Sequence, residues 1–164
     1  MERNSMKLLI QQSLSAMKAG CRVAADATSE IQNSVRNPRL KEALEQGSKT
    51  SQQWMARIDR ALGEVGGDQE QQNAIMQANY EVSQKIRHLA LDDTTRDLGI
   101  IGSGQLALHY WIASFGTLRT YAANAALPQT VREMQACLDE AKRADEQHNQ
   151  IAAEILSAQA QRAA

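Results

Sequence analysis

The sequence predicts an all-α fold, a four-helix bundle, from three observations. The 164 residues are rich in Ala, Gln, Glu, Arg and Leu but contain only nine Gly and two Pro, a composition that favours long helices. Four long segments place apolar or small residues at steps of three or four, the period of an amphipathic helix. Residues that cap or break helices separate these segments. The length suits one domain, and we expect a single domain over residues 1–164.

The first segment has a candidate N-cap at Asn4-Ser5 and must end before Asn37-Pro38. A residue before proline avoids the helical conformation, whereas proline suits the first turn of the next helix. We therefore predict a helix of about eight turns, followed by Asn37 as the cap of the second helix. The inward stripe of the first segment is Met6, Ile10, Leu14, Met17, Cys21, Ala24, Thr28, Ile31 and Val35.

The second segment ends at Gly66-Gly67, where a left-handed C-cap costs little. The short connection between two long helices predicts an antiparallel hairpin. Its inward stripe is Leu40, Leu44, Gly47, Ser51, Trp54, Ile58, Leu62 and Val65.

A long crossover follows the first hairpin. Asp68 and Gln71 resemble a capping pair, and a weaker amphipathic pattern predicts a short additional helix that ends near residue 89. Residues 92–95, Asp-Asp-Thr-Thr, then predict a turn and a cap for a third long helix that ends near Ala126. This third helix should face inward with Leu108, Trp111, Ile112, Phe115, Leu118 and Ala122.

Leu127-Pro128 marks the start of a fourth long helix. Its inward stripe is Val131, Met134, Leu138, Ala141, Asp145, His148, Ala152 and Ile155. Large apolar residues cease after Leu156, so we expect residues 157–164 to fray. Two hairpins joined by a long crossover predict the ferritin-like connectivity rather than a simple up-down-up-down bundle.

Charge and cysteine content narrow the possible functions. Eighteen Lys and Arg against nineteen Asp and Glu give a net charge of −1, and the two signs alternate along the chain. This pattern argues against a nucleic-acid or membrane surface. Because no signal-peptide pattern or long apolar run is evident, we expect a cytoplasmic protein. Cys21 and Cys137 are predicted to be reduced thiols.

Two stretches of the last two helices carry a family resemblance. They are residues 109–122, His-Tyr-Trp-Ile-Ala-Ser-Phe-Gly-Thr-Leu-Arg-Thr-Tyr-Ala, and residues 138–146, Leu-Asp-Glu-Ala-Lys-Arg-Ala-Asp-Glu. Both resemble the bacterial YciE/YciF-type ferritin-like family. Residues 37–44, Asn-Pro-Arg-Leu-Lys-Glu-Ala-Leu, and Leu62-Gly63 fit the first hairpin of that family. The resemblance covers roughly residues 8 to 156, and it implies a bacterial stress-response protein that forms a homodimer.

The resemblance also implies where a metal centre would lie. Members of the family typically carry Glu on helix one, a His-x-x-Glu pair on helix two, Glu-His-Tyr-Glu on helix three and Glu-Glu on helix four. That set resembles a dinuclear iron or manganese site. The matching positions here are Cys21, Gly47, Thr50, Leu108, Trp111 and Ala141. Because hard cations need carboxylates and imidazoles, we expect no dinuclear metal centre, no cofactor and no catalytic residue.

Asp145 and His148 form an Asp-x-x-His pair on the inward stripe of the last helix. We expect a buried or half-buried, hydrogen-bonded pair, and we expect His109 to donate to a backbone or tyrosine oxygen inside the bundle. The alternative is a displaced site for one metal ion at Asp145, His148 and His109, with Glu140 or Asp139 nearby.

The sequence therefore predicts a non-catalytic ferritin-like protein with a structural or partner-binding role. Its partner would be a second copy or an unidentified protein. One alternative is an iron or manganese redox protein that uses the displaced site at Asp145, His148 and His109. Another is a bundle that holds a small apolar ligand in the space where the family resemblance places the metals.

Overall fold

The computed structural model describes residues 3–163, and within that range it contains five helices and no strand. This confirms the all-α prediction. The helices are α1 (Arg3–Gln32), α2 (Pro38–Val65), α3 (Ala74–Leu89), α4 (Asp93–Asn124) and α5 (Pro128–Ala163). α1 packs on α2, α4 packs on α5, and α2 lies beside α5, while the short helix α3 lies against α4 and α1.

Two polar contacts establish the direction of the crossover. The carboxylate of Asp97, near the start of α4, accepts hydrogen bonds from the backbone N–H groups of Arg36 and Asn37, just before α2. Glu64, near the end of α2, accepts from the backbone N–H of Thr130 at the start of α5. α2 and α4 therefore begin at the same end of the bundle. The crossover must return the chain along the bundle, which confirms the ferritin-like connectivity with an additional short helix.

Three predicted caps are confirmed. The side chain of Asn37 accepts from two backbone N–H groups at the start of α2, with Pro38 in the first turn. Asp92 and Thr95 form a reciprocal capping box at the start of α4. Gly66 ends α2 with a φ of 110°, a left-handed conformation that glycine adopts without steric cost.

The two ends of the chain differ from the prediction. Asn4-Ser5 is not an N-cap, because α1 is already helical at Arg3. α5 continues to Ala163, so residues 157–163 are helical rather than frayed, although the side chains of residues 156–162 are exposed. Ala-rich and Gln-rich sequence has high helix propensity and extends a helix that is already nucleated. Residues 1, 2 and 164 lie outside the described residues.

The start of the crossover helix was also predicted wrongly. Asp68 and Gln71 do not cap it, because α3 begins only at Ala74 and its N-cap is Asn73. Asp68 instead pairs with Lys18 of α1, with 2.9 Å between the carboxylate oxygen and Nζ. The residues before α3 are therefore tied to α1, and the helix starts after this contact.

The interior contains two separate clusters of buried apolar residues. The larger cluster includes Trp54, Trp111 and Phe115, as predicted. The ring of Phe115 meets Trp54 edge-on at 5.1 Å and stacks on Trp111 at 5.6 Å, between ring centroids. The smaller cluster consists of Val35, Leu40, Ala43, Ile100, Ile101, Ile151 and Ile155. A cavity lies between the two clusters, since residues of both line it.

Candidate functional site

The candidate site is this cavity, which has a volume of about 410 Å³ and is lined by residues of all five helices. It occurs where the inward stripes carry small side chains. A Cβ atom added at Gly47 would meet no neighbouring atom within 4 Å. Helices held about 8–10 Å apart leave empty space where such side chains face each other. The other small lining residues include Ala24, Ala27, Ala107 and Ala144.

The wall of the cavity is mainly apolar. Trp54, Met76 and Trp111 close the end that faces the larger cluster, whereas Ala43 and Ile100 close the other end. Nearly half of the lining residues nevertheless have polar side chains, and the most buried of these with a titratable group is His148. A mainly apolar surface that also carries polar groups is typical of small-molecule sites.

The cavity opens toward solvent between α2 and α5. Its lining includes Gln46 and Gln53, which are exposed residues of α2 seven positions apart. Across from them it includes Arg143, an exposed residue of α5. Exposed side chains that also line the interior mark the edge of an opening.

The structure places most of the positions matched to the family metal ligands at this cavity. Four of the six line it: Gly47, Thr50, Leu108 and Trp111. The other two, Cys21 and Ala141, are buried in the adjoining larger cluster. The six positions thus lie in one region of the bundle, and their side chains supply one hydroxyl, one buried thiol and one indole N–H but no carboxylate or imidazole.

Both cysteines are free and buried. Burial in apolar surroundings raises the pKa of the Cys21 thiol to about 12 and that of Cys137 to about 12. Both side chains are therefore neutral thiols at physiological pH. A neutral thiol is a poor nucleophile and a poor metal ligand, so neither cysteine suits catalysis.

Glu140, which also lines the cavity, belongs to a polar contact between α5 and α2. One of its carboxylate oxygens accepts from Trp54 Nε1 at 2.8 Å and from an Arg57 guanidinium nitrogen at 2.6 Å. The hydrogen bond to Glu140 raises the pKa of Arg57 above its ordinary range, although burial opposes the shift. Glu140 thus fixes the ring of Trp54 at the cavity wall, and its charge is already balanced by Arg57.

The three residues of the alternative metal site do not converge. His109 is not inside the bundle as predicted, because its side chain is 68% exposed and its Nε2 lies 3.3 Å from Asp145 on the outer side of α4 and α5. His148 instead lines the cavity, and its Nδ1 lies 2.8 Å from the Ala144 carbonyl oxygen. Asp145 accepts from Gln105, so Asp145 and His148 do not form the expected pair. His109 directly follows Leu108 of the inward stripe, and successive residues of a helix point 100° apart. The side chain of His109 can therefore face the seam between α4 and α5 rather than the interior.

Three polar residues that join different parts of the bundle were not identified from the sequence alone. Asp97 continues the inward stripe of α4 upstream at steps of three or four, so helical periodicity could have revealed it. Glu64 and Asn73 have no such signal. Glu64 accepts from Thr130, and Asn73 donates to the Ala16 carbonyl oxygen and to Tyr110. These partners are distant in sequence, and only the folded chain brings them together.

No group of three or more His, Cys, Asp and Glu side chains in residues 4–162 lies close enough together to hold a metal ion. No helix within the described part of the chain is long and apolar enough to cross a membrane.

Four long helices in two hairpins, with a crossover helix along the bundle, define a ferritin-like helical protein. The chain belongs to the family described as a domain of unknown function (DUF892), whose model matches residues 6–161. A comparison with curated proteins finds no match.

Solved structures share this fold. The Escherichia coli stress protein YciF is similar with a TM-score of 0.88 and 19% identity, over 93% of this chain and 97% of that chain. YcfI from Rhodopseudomonas palustris, described provisionally as a structural protein, gives a TM-score of 0.84 and 21% identity, over 88% and 92% of the two chains. A protein from Xanthomonas campestris gives a TM-score of 0.72 and 18% identity, over 96% of this chain and 97% of that chain. The family match over residues 6–161 and the similarity to the structure of YciF together confirm the family resemblance.

Proposed function

We propose that this protein is a non-catalytic ferritin-like protein with a structural or partner-binding role, and that it has no dinuclear metal centre. The observation that carries the proposal is the chemistry of the cavity wall. A two-metal site in a bundle needs several carboxylates and imidazoles that project inward. The wall offers one imidazole, His148, and one carboxylate, Glu140, which already binds Arg57 and Trp54. These residues do not fit two hard cations.

The relatives support the kind of role that we propose. YciF is described as a stress protein, and YcfI provisionally as a structural protein. We extend a structural role under stress to this chain, with a cytoplasmic location, as part of the proposal.

The test is the metal content of the full chain, expressed in medium supplemented with iron and manganese and measured by elemental analysis. We expect well below one equivalent of either metal per chain. About two equivalents would contradict the proposal. One equivalent that is lost in His109→Ala and kept in Gln150→Ala, an exposed position of α5, would instead establish the alternative metal site. That alternative rests on the contact between His109 and Asp145, and no third ligand joins them among the described residues.

A homodimer is the second part of the proposal, and it is supported by the outer face of α3. Ile75, Val82 and Leu89 are exposed and stand seven residues apart, so they lie along one side of the helix. Leu91, just after α3, is also exposed. Several exposed large apolar residues along one side of a helix favour an interface, and a twofold axis would bring this face against its own copy.

Sedimentation velocity tests the dimer. In a symmetric pair the two copies of Val82, at the middle of the face, would lie near each other, so Val82→Glu would bury two like charges. We expect this variant to sediment as a monomer, while the native chain and Leu156→Glu, a matched change at an exposed leucine of α5, sediment as dimers. A native chain that is monomeric at high concentration, or a Val82→Glu variant that remains dimeric, would refute this part.

A further inference from the structure

We infer that the interior cavity is a binding site for a small amphipathic molecule with an apolar body and one hydroxyl group. This inference goes beyond the structural role proposed above and does not depend on it. The volume of about 410 Å³ falls within the range of roughly 300–1,000 Å³ typical of small-ligand sites.

The apolar part of the wall determines the body of the ligand. Trp54 and Trp111 form one end of the cavity, and aliphatic side chains such as Leu44 and Ile100 form the other. Transfer of an apolar chain from water into this space is favourable in proportion to the area that leaves water. A cationic ligand would lose its hydration without a free counter-charge, because Glu140, the one carboxylate of the wall, is already paired with Arg57.

His148 determines the polar group of the ligand. Its side chain is only 7% exposed, and it lines the cavity. Nδ1 lies 2.8 Å from the Ala144 carbonyl oxygen, which can only accept, so Nδ1 must carry a hydrogen. In the neutral ring the lone pair is then on Nε2.

Nε2 faces Gly104 of α4, where an added Cβ would lie 3.6 Å from it, and both residues line the cavity. Among the described residues, His148 makes its hydrogen bond through Nδ1 alone. Nε2 is open to water, since no fully buried side-chain nitrogen or oxygen of the described residues lacks a hydrogen-bond partner. A ligand O–H group can replace that water as the donor.

The chain carries its own reporter for this site. Its only two tryptophans, Trp54 and Trp111, both line the cavity. A ligand that displaces water beside these rings changes their environment, so tryptophan emission reports occupancy directly.

The probe is 1-decanol, added to the full native chain below its solubility limit, with decyl methyl ether as a ligand of similar body that lacks the O–H donor. We expect saturable changes in tryptophan emission and a higher melting temperature with 1-decanol. The ether should bind about fivefold more weakly, the magnitude of one net hydrogen bond. Absence of saturable binding of 1-decanol would overturn the inference.

Two variants locate the site. Gly47→Leu puts a side chain into the cavity, and binding should weaken by at least about tenfold, because the space is then filled. Gly63→Leu is the matched control, since Gly63 is an exposed glycine of the same helix with open space around it, and binding there should be unchanged. Equal binding by the two variants would place 1-decanol elsewhere and overturn the inference.

A third variant tests the hydrogen bond. His148→Leu should bind 1-decanol and its ether with the same affinity, whereas the native chain prefers the alcohol. A retained preference for the alcohol in this variant would refute the role of Nε2.

Discussion

Asp97→Asn should destabilise the bundle more than any other change of one acid to its amide among the residues discussed above. Asp97 is only 3% exposed, and its two carboxylate oxygens accept from the backbone N–H groups of Arg36 and Asn37 at 3.1 and 2.6 Å. These bonds hold the turn between α1 and α2 against the start of α4. An asparagine keeps one acceptor oxygen but places an NH₂ group against the other N–H donor.

The magnitude follows from these contacts. A hydrogen bond to a charged group contributes about 1.5–3 kcal/mol, and a buried donor left without an acceptor costs about 1–3 kcal/mol. The smaller desolvation cost of the amide offsets part of this loss. We expect Asp97→Asn to lower the free energy of unfolding by about 2–4 kcal/mol. For a chain of this size, that is a fall in melting temperature of about 4–16 °C.

Thermal unfolding followed by far-ultraviolet circular dichroism measures this change. The control is Asp93→Asn, four residues earlier on the same helix, where the carboxylate is exposed and contacts only arginine side chains. That variant should change stability by less than about 1 kcal/mol. Faster amide hydrogen exchange at Asn37 in Asp97→Asn would confirm the cause. If both variants melt within 2 °C of the native chain, by the same scale, Asp97 does not hold the turn.

Three further changes have predictable effects on stability. Glu64→Gln should lower the free energy of unfolding by about 1–2 kcal/mol at neutral pH, the scale of a lost helix cap. Burial raises the pKa of Glu64, but the hydrogen bonds from Thr130 outweigh burial and hold the pKa below 4.5. The native chain should therefore keep this stability above pH 4.5 and lose it as the pH falls through the lower folded pKa. A Glu64→Gln variant whose stability falls with acid in the same way as that of the native chain would contradict this. Gly66→Ala should cost about 1–2 kcal/mol in urea unfolding because φ is 110°, whereas Gly63→Ala should stabilise slightly. Glu140→Gln should cost about 1–2 kcal/mol, and an unchanged urea midpoint would show that its contacts with α2 contribute nothing.

The elements that the sequence predicts well depend on local physics. Asn37-Pro38, Gly66 and the pair Asp92 and Thr95 are short-range signals, since the groups that they cap lie within a few residues. The inward stripes depend only on helical period, and for this reason Trp54, Ile58 and the aromatic cluster were predicted correctly.

The errors come from contacts between distant residues. The start of α3 depends on Asn73, which is held by Ala16 and Tyr110, and no pattern near residue 73 reveals those partners. His109 lies at the seam between α4 and α5, where a small rotation of one helix decides between interior and surface.

The cavity could be predicted only in part. Periodicity shows that Gly47 and Leu108 face inward, but it does not show whether facing side chains touch. The volume depends on the distances between helices, and those depend on every contact along them. Small residues on facing stripes are a hint of empty space, and their alignment across α1, α2, α4 and α5 is a property of the fold.

The most direct test of the central claim is anomalous diffraction from crystals of the full chain grown with manganese and iron, with data collected at the absorption edge of each metal. We predict no anomalous peak in the cavity bounded by Gly47, Thr50, Leu108 and Trp111, whatever binds at the surface. One or two strong peaks inside that cavity, within coordination distance of side-chain atoms, would contradict the account.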